Sequence, residues 1–406
     1  MIKNNLAWRL GTHGKEKKMN AKVKDFLVKY TMVLVLVIVF VLFNQMTGGK
    51  MVYAQNLSNL LLQNAYVVIL ACGMLLCILT GGNIDLSVGS VVCLVGAIAA
   101  KLLSTTSIPA IGVILLGLVV AAIIGVWQGY WIGYSRIPPF ITTLAGMFVF
   151  RGLGRVVLDS KTISIQNKSF LNVFTSYINV PGLDDGQKYS AIIVGVVVVI
   201  GYIAATVLGR QKKQKKGYHV ESASSTYIKM AIISVCVLLY CYKLSQYKGI
   251  PVMLLWLLAV VLLYAFITSK TALGRHFYAI GGNEKATKLS GIDTNRVFFI
   301  AYVQVAILAG LCGLLCAARV GSVNGDSGNS YEMDAIGACF IGGASAYGGS
   351  GTVGGAVIGA ILLGVINQGM SIIGLNSNWQ YVVKGAVLLI AVIFDIKFNN
   401  KNMTKA

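Results

Sequence analysis

Apolar runs long enough to cross a membrane follow one another along most of this chain. A helix needs roughly 20 mostly apolar residues to traverse the hydrocarbon core of a bilayer. Twelve segments approach that length, near residues 26–44, 59–80, 87–104, 109–133, 139–157, 190–208, 228–244, 251–268, 298–318, 334–347, 352–373 and 379–396. The pattern predicts an all-α polytopic membrane protein with about 10–12 transmembrane helices.

Three of these segments are less regular than the others. Residues 87–104 contain Gly and Ser, residues 139–157 contain two arginines, and the segment 334–347 is short. Gly at membrane depth typically marks close helix packing or a broken helix. We therefore expect short or broken Gly-rich helices among the spans, either as half-helices or as re-entrant segments.

The composition excludes a soluble fold. Of the 406 residues, 56% are apolar and only 12% are charged, whereas an average soluble chain carries about 25% charged residues. So few charges cannot cover the apolar surface of a water-soluble protein of this size, but a bilayer can face that surface directly. We interpret the chain as a multi-pass integral membrane protein.

The net charge of +21 raises the question of nucleic-acid binding. The basic residues cluster between apolar spans instead of forming a stripe on a folded domain. Two clusters stand out: Lys15, Lys17, Lys18, Lys22 and Lys24, and Arg210, Lys212, Lys213, Lys215 and Lys216. The positive-inside rule places both in the cytoplasm beside anionic lipid headgroups. Membrane lipid is therefore the expected partner, and nucleic acid is not.

These charges divide the chain into three parts. Residues 1–25 form a basic cytoplasmic segment, residues 26–396 the transmembrane domain, and residues 397–406 a cytoplasmic tail. The transmembrane domain includes a basic cytoplasmic loop at 209–227 and another cytoplasmic loop at 270–297. Both termini inside require an even number of crossings, and twelve spans satisfy this condition.

The first motif with chemical potential is a Gly-rich turn between two apolar runs. It contains Gly82, Asn83, Asp85 and Ser87, and no other acid lies between Asp25 and residue 159. An ionisable residue at membrane depth is costly and suggests a function. Alternatively, Asp85 or Ser87 caps the helix that begins there. In either case the broken helix is a candidate for lining a translocation path.

A second Gly-rich turn begins at Gly342 and Gly343. It is followed by Gly-Thr-Val and then by Gly-Val-Ile-Asn-Gln-Gly, an order of parts that weakly repeats the region after Gly81. Transporters are often built from internal repeats with irregular backbone at the repeat interface. The sequence thus suggests an internal pseudo-repeat whose second turn also belongs to the translocation path.

Two charged residues accompany the carboxyl-terminal spans. Asp334 precedes the second turn, near an edge of the membrane, where an acid suits a hydroxyl-rich solute, a docked carrier or a helix cap. Lys384 follows Trp379 and Tyr381. This group is typical of an aromatic anchor at the membrane–water interface.

A third motif lies in the 270–297 loop. Asn283 can cap a short helix and Gly291 can end it, while Glu284 and Lys288 form an i,i+4 pair. Ala286, Leu289 and Ile292 give that helix one apolar side. It is either a solvated loop helix or an element that a soluble partner grips. The candidate coupling residues are Gly281, Gly282, Asn283, Glu284, Ala286, Leu289, Ser290 and Gly291.

Motifs for enzyme chemistry are missing from the sequence. There is no phosphate-binding loop with the spacing of an ATPase, no HExxH or GxSxG motif, and no pair of catalytic carboxylates. The eight cysteines lie in apolar stretches without CxxC spacing or nearby histidines, so neither a metal site nor a disulfide framework is expected. We predict a non-enzymatic transport subunit that binds no cofactor itself.

The motifs together resemble a known family. The stretches 79–100, 273–292, 317–343 and 378–385 are similar, in this order, to the membrane permeases of ribose-, xylose- and galactose-type ABC importers. Three features look most like the xylose or multiple-sugar subgroup: the runs 128–131 and 136–141, and the extra basic segment with its helix pair at about 207–250.

The resemblance implies import of a monosaccharide, such as xylose or a related pentose or hexose. It implies a homodimer of permeases, an ATP-binding subunit on the cytoplasmic face that uses the ATP, and an extracytoplasmic sugar-binding protein. The loop from Gly281 to Ile292 would then be the coupling helix. The alternative is an ion-coupled secondary transporter of a small polar solute, which requires a mid-membrane carboxylate such as Asp85.

Overall fold

The computed structural model describes residues 31–403, except residues 185, 219 and 221. Side chains at 391 and 394–403 also lie outside the description. The basic segment 1–25 and the last three residues of the 397–406 tail therefore lie outside the described residues. The predicted positions of both termini relative to the membrane stay predictions.

Helices dominate the described part of the chain. In order they are α1 Thr31–Met46, α2 Ala54–Leu79, α3 Val88–Thr105, α4 Ala110–Gly133, α5 Pro139–Val157, α6 Lys168–Thr175, α7 Tyr189–Lys215, α8 Ala223–Ser245, α9 Val252–Lys270, α10 Ala272–Gly282, α11 Glu284–Leu289, α12 Thr294–Val320, α13 Tyr331–Ile341, α14 Val353–Ile373 and α15 Ser377–Met403. Among the described residues, nine of these helices (α2–α5, α7–α9, α12 and α14) are long and apolar enough to cross a membrane. The prediction of an all-α polytopic membrane protein is confirmed.

The three irregular segments have different outcomes. The first two form helices of full length, α3 with 18 residues and α5 with 19, so by length neither is a half-helix. The third contains only α13, whose 11 residues extend about 16 Å, half of the hydrocarbon thickness. Only α13 is therefore a half-helix.

Short strands tie the loops together at one end of the bundle, which we call the strand end. They are β1 Ile163–Ser164, β2 Tyr177–Ile178, β3 Ile250–Pro251 and β4 Ser322–Val323. β1 pairs with β4 and β2 pairs with β3, both antiparallel. The predicted outward loops, 158–189 and 322–334, therefore meet at the same end.

The opposite end, which we call the α11 end, gathers the turns after α2 and α4 with α10 and α11. There the Gly349 N–H donates to the Leu79 carbonyl at 3.1 Å, and Arg136 bonds to Glu284 at 2.6 Å. Since α7 begins beside the strand end and has 27 residues, its basic last turn also lies at the α11 end.

The chain returns from the strand end to the α11 end by a broken crossing. Val323 packs near Gly96 in the middle of α3, and Gly328 meets the carbonyl of Gly89, the second residue of α3. The half-helix α13 then leads to the turn at Gly349. Among the described residues, this broken crossing adds to the nine long spans, whereas α1 is shorter than these and α15 is not among the helices apolar enough to span. The total of twelve crossings therefore stays a prediction.

A seam of small residues joins α4 to α12. Positions 117, 121, 125, 129 and 133 of α4 are Gly, Ala, Gly, Gly and Gly, four residues apart and therefore on one helix face. A Cβ added at Gly125 would lie 2.7 Å from the Cα of Val303, and one at Gly133 would lie 2.6 Å from the Asn295 carbonyl oxygen. The two backbones thus touch along most of α4, as expected for small-xxx-small packing in a membrane.

Burial separates the centre of the bundle from its periphery. Every residue of α2 from Asn64 to Leu79 is buried. By contrast, most side chains of α7 and α8 are at least partly exposed, and both helices are rich in Val, Ile and Leu. Such an exposed apolar surface is suited to contact with lipid rather than with water.

We predict that Gly125→Ile destabilises the protein strongly. The added side chain would overlap the backbone of α12, which costs about 1–3 kcal/mol or more. The matched control is Gly201→Ile in α7, where no atom lies within 4 Å of an added Cβ. The melting temperature of the detergent-purified protein should fall for the first variant only, and equal melting temperatures would contradict the seam.

Candidate functional site

The first Gly-rich turn returns the chain into the membrane. Gly81 and Gly82 have φ angles of 119° and 76°, which L side chains rarely adopt, and a Cβ on Gly82 would overlap the carbonyl of Ala346. After this turn, the Asp85 N–H approaches the Met74 sulfur at 3.4 Å. Because Met74 lies more than one turn before the end of α2, helix α3 begins inside the membrane rather than at its surface.

Asp85 organises the start of α3. It is fully buried, and its Oδ1 accepts hydrogen bonds from the Ser87 N–H at 2.8 Å and the Ser87 hydroxyl at 2.7 Å. Ser87 flanks the start of α3, and α3 itself has no side-chain cap, so the capping role expected of Asp85 stays a prediction. The bond runs from residue i to i+2, the pattern of an Asx turn.

The network extends to a neighbouring helix. Gln128 of α4 donates from Nε2 to the Ser87 hydroxyl oxygen at 2.7 Å, and Gly146 of α5 leaves the space for this amide. The second carboxylate oxygen of Asp85 has no hydrogen-bond partner among the described residues. Asn83 bonds only locally, to Thr80. The sequence marked Gln128 only as part of the family-like run 128–131 and gave it no role in the site, because a single amide in an apolar helix carries no spacing signal.

The second Gly-rich turn lies against the first. A Cβ on Gly342 would overlap the carbonyl of Gly355, and Gly343 has a φ of 85°. Farther along, a Cβ on Gly348 would lie 2.5 Å from Gly81. The two turns that form the suggested internal pseudo-repeat therefore meet at the α11 end, where their backbones are in contact.

Asp334 lies deeper than the sequence suggested. It is buried, accepts a hydrogen bond from the Tyr66 hydroxyl at 2.6 Å and pairs with Lys384 at 3.0 Å. Since Tyr66 is near the middle of α2, the expectation of an acid at the membrane edge is wrong. The interfacial role assigned to Lys384 is also wrong, because its ammonium reaches into the bundle to neutralise this carboxylate.

An open cavity lies beside the broken crossing, in the half of the bundle toward the strand end. Its volume is about 390 Å³, and its polar lining includes Ser322, Ser327, Asn329, Tyr331 and Tyr381. Irregular backbone at membrane depth is tolerated only where protein or water covers it. The cavity therefore explains how residues 324–330 can stay unwound there. Hydroxyl, amide and aromatic groups suit a polar solute, but the sequence offered no motif for them.

The third motif forms the short helix that its sequence predicts. The Asn283 side chain caps α11 by accepting from the Ala286 N–H at 3.0 Å, and Gly291 follows the helix with a φ of 87°. Ala286 is exposed, and Leu289 is 90% exposed. Ser290 bonds back to the Thr287 carbonyl. The capped helix with exposed apolar residues is confirmed, whereas its docking role is not tested by this geometry.

Two residues at the start of α11 contact the rest of the bundle. A Cβ on Gly281 would overlap the Leu79 carbonyl, whereas nothing lies near Gly282. The Glu284 carboxylate accepts a hydrogen bond from Arg136 at 2.6 Å. Glu284 therefore contacts the turn after α4 instead of forming the pair with Lys288 that the sequence predicts.

The described residues offer no metal site. No group of three or more His, Cys, Asp or Glu residues that could hold an ion occurs among them. Six of the eight cysteines are buried as free thiols, whereas Cys236 is exposed and Cys241 partly exposed. Asp85, Glu332 and Asp334 are buried, but they do not form such a group.

Comparison with known proteins agrees with this arrangement. The profile of a family described as branched-chain amino acid transport system / permease component matches residues 56–392. The chain belongs to this permease family. The match spans α2 to α15 and therefore includes both Gly-rich turns, α11 and the broken crossing.

Several curated relatives cover nearly the whole chain. The xylose transport system permease protein XylH of Haemophilus influenzae is 36% identical over 374 residues, 92% of this chain and 97% of the relative. XylH of Escherichia coli K12 is 34% identical over 366 residues, 90% and 91% of the two chains. The ribose import permease protein RbsC of E. coli K12 is 31% identical over 343 residues, 84% and 86%. No solved structure matches the chain significantly.

These matches confirm the family resemblance seen in the motifs, including its xylose-like subgroup. The permease is a multi-pass membrane protein, and its relatives are transport permeases. The roles assigned to individual residues of the turns and of α11 stay predictions, because neither the similarity nor the geometry tests them.

We predict that Asp334→Asn destabilises the permease, because it leaves the Lys384 ammonium without its counter-charge. Breaking a buried pair by removing one partner costs about 3–5 kcal/mol. The double variant Asp334→Asn/Lys384→Met should recover most of this loss. The measurement is thermal unfolding of the purified protein.

The control for this experiment is Lys101→Met. Lys101 pairs with Asp159 at 3.5 Å on an exposed surface, where an ion pair contributes at most about 1 kcal/mol. If the Asp334 single variant were as stable as the parent, or the double variant less stable than the single, the buried pair would not have the assigned role.

Proposed function

We propose that this permease is the membrane-spanning subunit of an ATP-driven importer that moves a monosaccharide, xylose or a related pentose or hexose, across the cytoplasmic membrane. The observation that carries the proposal is the similarity to xylose and ribose permeases over 84–92% of the chain. The polar cavity beside the broken crossing supports it, since its hydroxyl, amide and tyrosine groups can hydrogen-bond a sugar.

An ATP-binding subunit supplies the energy in this proposal, docking at the α11 end. The support is the exposed apolar side of a rigidly capped helix. A fully exposed leucine on a monomeric surface is unremarkable alone, but here Leu289 follows the exposed Ala286 on the same helix face. Helix α11 would fill a groove of that subunit.

The α11 end faces the cytoplasm in this proposal. The basic last turn of α7, with Lys212, Lys213 and Lys215, lies at that end, and the positive-inside rule favours its cytoplasmic placement. Both termini then lie inside. A second permease copy and an extracytoplasmic sugar-binding protein at the strand end complete the proposed importer.

We predict that Ala286→Asp and Gly291→Pro weaken docking of the ATP-binding subunit. A carboxylate in the apolar contact would be desolvated without a partner, which weakens docking by roughly 10- to 100-fold. Proline cannot adopt the φ of 87° found at Gly291. Both positions lie in water, so the permease itself should fold. Co-purification with the ATP-binding subunit and sugar uptake in cells measure the effect.

The control is Ser104→Asp, which adds the same charge to an exposed position at the strand end. It should leave docking and uptake intact. Full retention of both the partner subunit and uptake in Ala286→Asp and Gly291→Pro would show that the docking surface lies elsewhere.

We predict that Asp85→Asn lowers uptake by no more than about threefold, since the amide oxygen can still accept from Ser87 and Asn caps nearly as well as Asp. The alternative, ion-coupled transport, requires this carboxylate to carry a proton. Uptake measured between pH 5.5 and 8, with and without a protonophore, separates the two. A collapse of uptake together with loss of its pH dependence would favour ion coupling.

A further inference from the structure

Arg136 joins three elements at the α11 end. Its guanidinium donates to the Glu284 carboxylate at the start of α11 and to the Thr294 hydroxyl at 2.7 Å. It also donates to the Asn295 side chain and lies 5.2 Å from the centre of the Phe298 ring. The residue itself sits in the short turn between α4 and α5. One side chain therefore contacts α11 and the first turn of α12 simultaneously.

The backbone around Arg136 holds the side chain in place. Its φ is 57°, a left-handed conformation that is uncommon for a residue with a side chain, and Pro138 and Pro139 restrict the turn that follows. Before it, the seam of small residues presses Gly133 against the Asn295 carbonyl. The guanidinium is thus presented from a fixed position in the short turn that follows α4.

The same helix reaches the broken start of α3. Gln128, about two turns before Arg136, donates to the Ser87 hydroxyl, which in turn bonds to Asp85. A continuous set of contacts therefore runs from α11 through Arg136 and α4 to the point inside the membrane where α3 begins. None of these contacts depends on a long flexible segment.

We propose that Arg136 is a positioning residue that makes α11 move as one body with α4 and α12, so that displacement of α11 reaches the membrane-embedded start of α3. The proposal rests on the proposed docking of an ATP-binding subunit at α11. In this arrangement Arg136 does not hold the subunit; it transmits the subunit's movement. Its loss should leave docking intact and separate ATP hydrolysis from transport.

The exposure of this ion pair makes the proposal testable without unfolding the protein. The side chains of Arg136 and Glu284 are 38% and 42% exposed, and exposed ion pairs contribute little to stability. The cation–π contact and the two bonds to α12 add to the fixed geometry of the guanidinium. A defect in transport should therefore appear while the fold persists.

The experiment compares Arg136→Glu, Glu284→Arg and the double exchange in the complex with the ATP-binding subunit, reconstituted in vesicles and supplied with the sugar-binding protein. Three quantities are measured: co-purification of the subunit, ATP hydrolysis, and xylose taken up per ATP hydrolysed. Each single variant should keep docking and hydrolysis within about twofold and lower xylose per ATP at least tenfold. The double exchange should recover a third or more of the parent ratio, since it restores opposite charges.

The matched control is Lys101→Glu, which reverses one charge of the exposed Lys101–Asp159 pair at the strand end. It should leave all three quantities unchanged. An unchanged ratio of xylose to ATP in Arg136→Glu would overturn the proposal. So would loss of docking in that variant, since Arg136 would then belong to the docking surface. Intact docking in Ala286→Asp would instead remove α11 as the docking surface, which is the part of the proposed function on which this proposal rests.

A second measurement tests whether the contact between Arg136 and Glu284 persists during transport. Cysteines replace Arg136 and Glu284 in a background with Cys236→Ser, because Cys236 is an exposed native thiol. A bifunctional thiol reagent, about as long as the two side chains that it replaces, should link the two cysteines. This link should restore the xylose uptake that the unlinked variant has lost. If bridging blocks uptake instead, α11 must separate from α4 in each cycle, and the rigid connection is wrong.

Discussion

The close approach of α4 and α12 is the constraint on which the rest of the structure depends. In a bilayer there is little hydrophobic drive to press helices together, so contact relies on close packing of small residues. The small residues of α4 bring its backbone onto α12 along most of α4. This contact places Gln128 beside the start of α3 and Arg136 beside α11. A single helix pair thereby sets the geometry of both the membrane-embedded network and the α11 end.

Most of the architecture could be predicted from the sequence, because the bilayer imposes length and apolarity on each span. The all-α membrane architecture, the capped helix at Asn283 and the family followed from runs, caps and motifs. The half-helix α13 was marked by its short apolar run. What failed was depth: the sequence could not show that α3 begins below the surface or that Asp334 lies opposite Tyr66. Such positions depend on contacts between residues far apart in the chain.

In the candidate site, too, local contacts could be predicted from the sequence and long-range contacts could not. Local chemistry identified Asp85 with Ser87 and Asn283 with Gly291, since each pair interacts within one turn. Partners on other helices were missed. Lys384 was interpreted as an interfacial anchor because its aromatic neighbours dominate the local pattern, and Glu284 was paired along its own helix. Arg136 and Gln128 gain their importance only from the α4–α12 contact, which no local pattern reveals.

The hydrogen bond between Tyr66 and Asp334 joins positions 268 residues apart, and this separation matters during synthesis. At about 5–20 residues per second, α2 waits roughly 13 to 54 s for the segment that contacts it. Throughout that interval, Tyr66 resides in the bilayer before its carboxylate partner exists. The nascent chain must therefore remain inserted as loosely associated helices, and assembly of the central helix is one of the last events of biogenesis rather than one of the first.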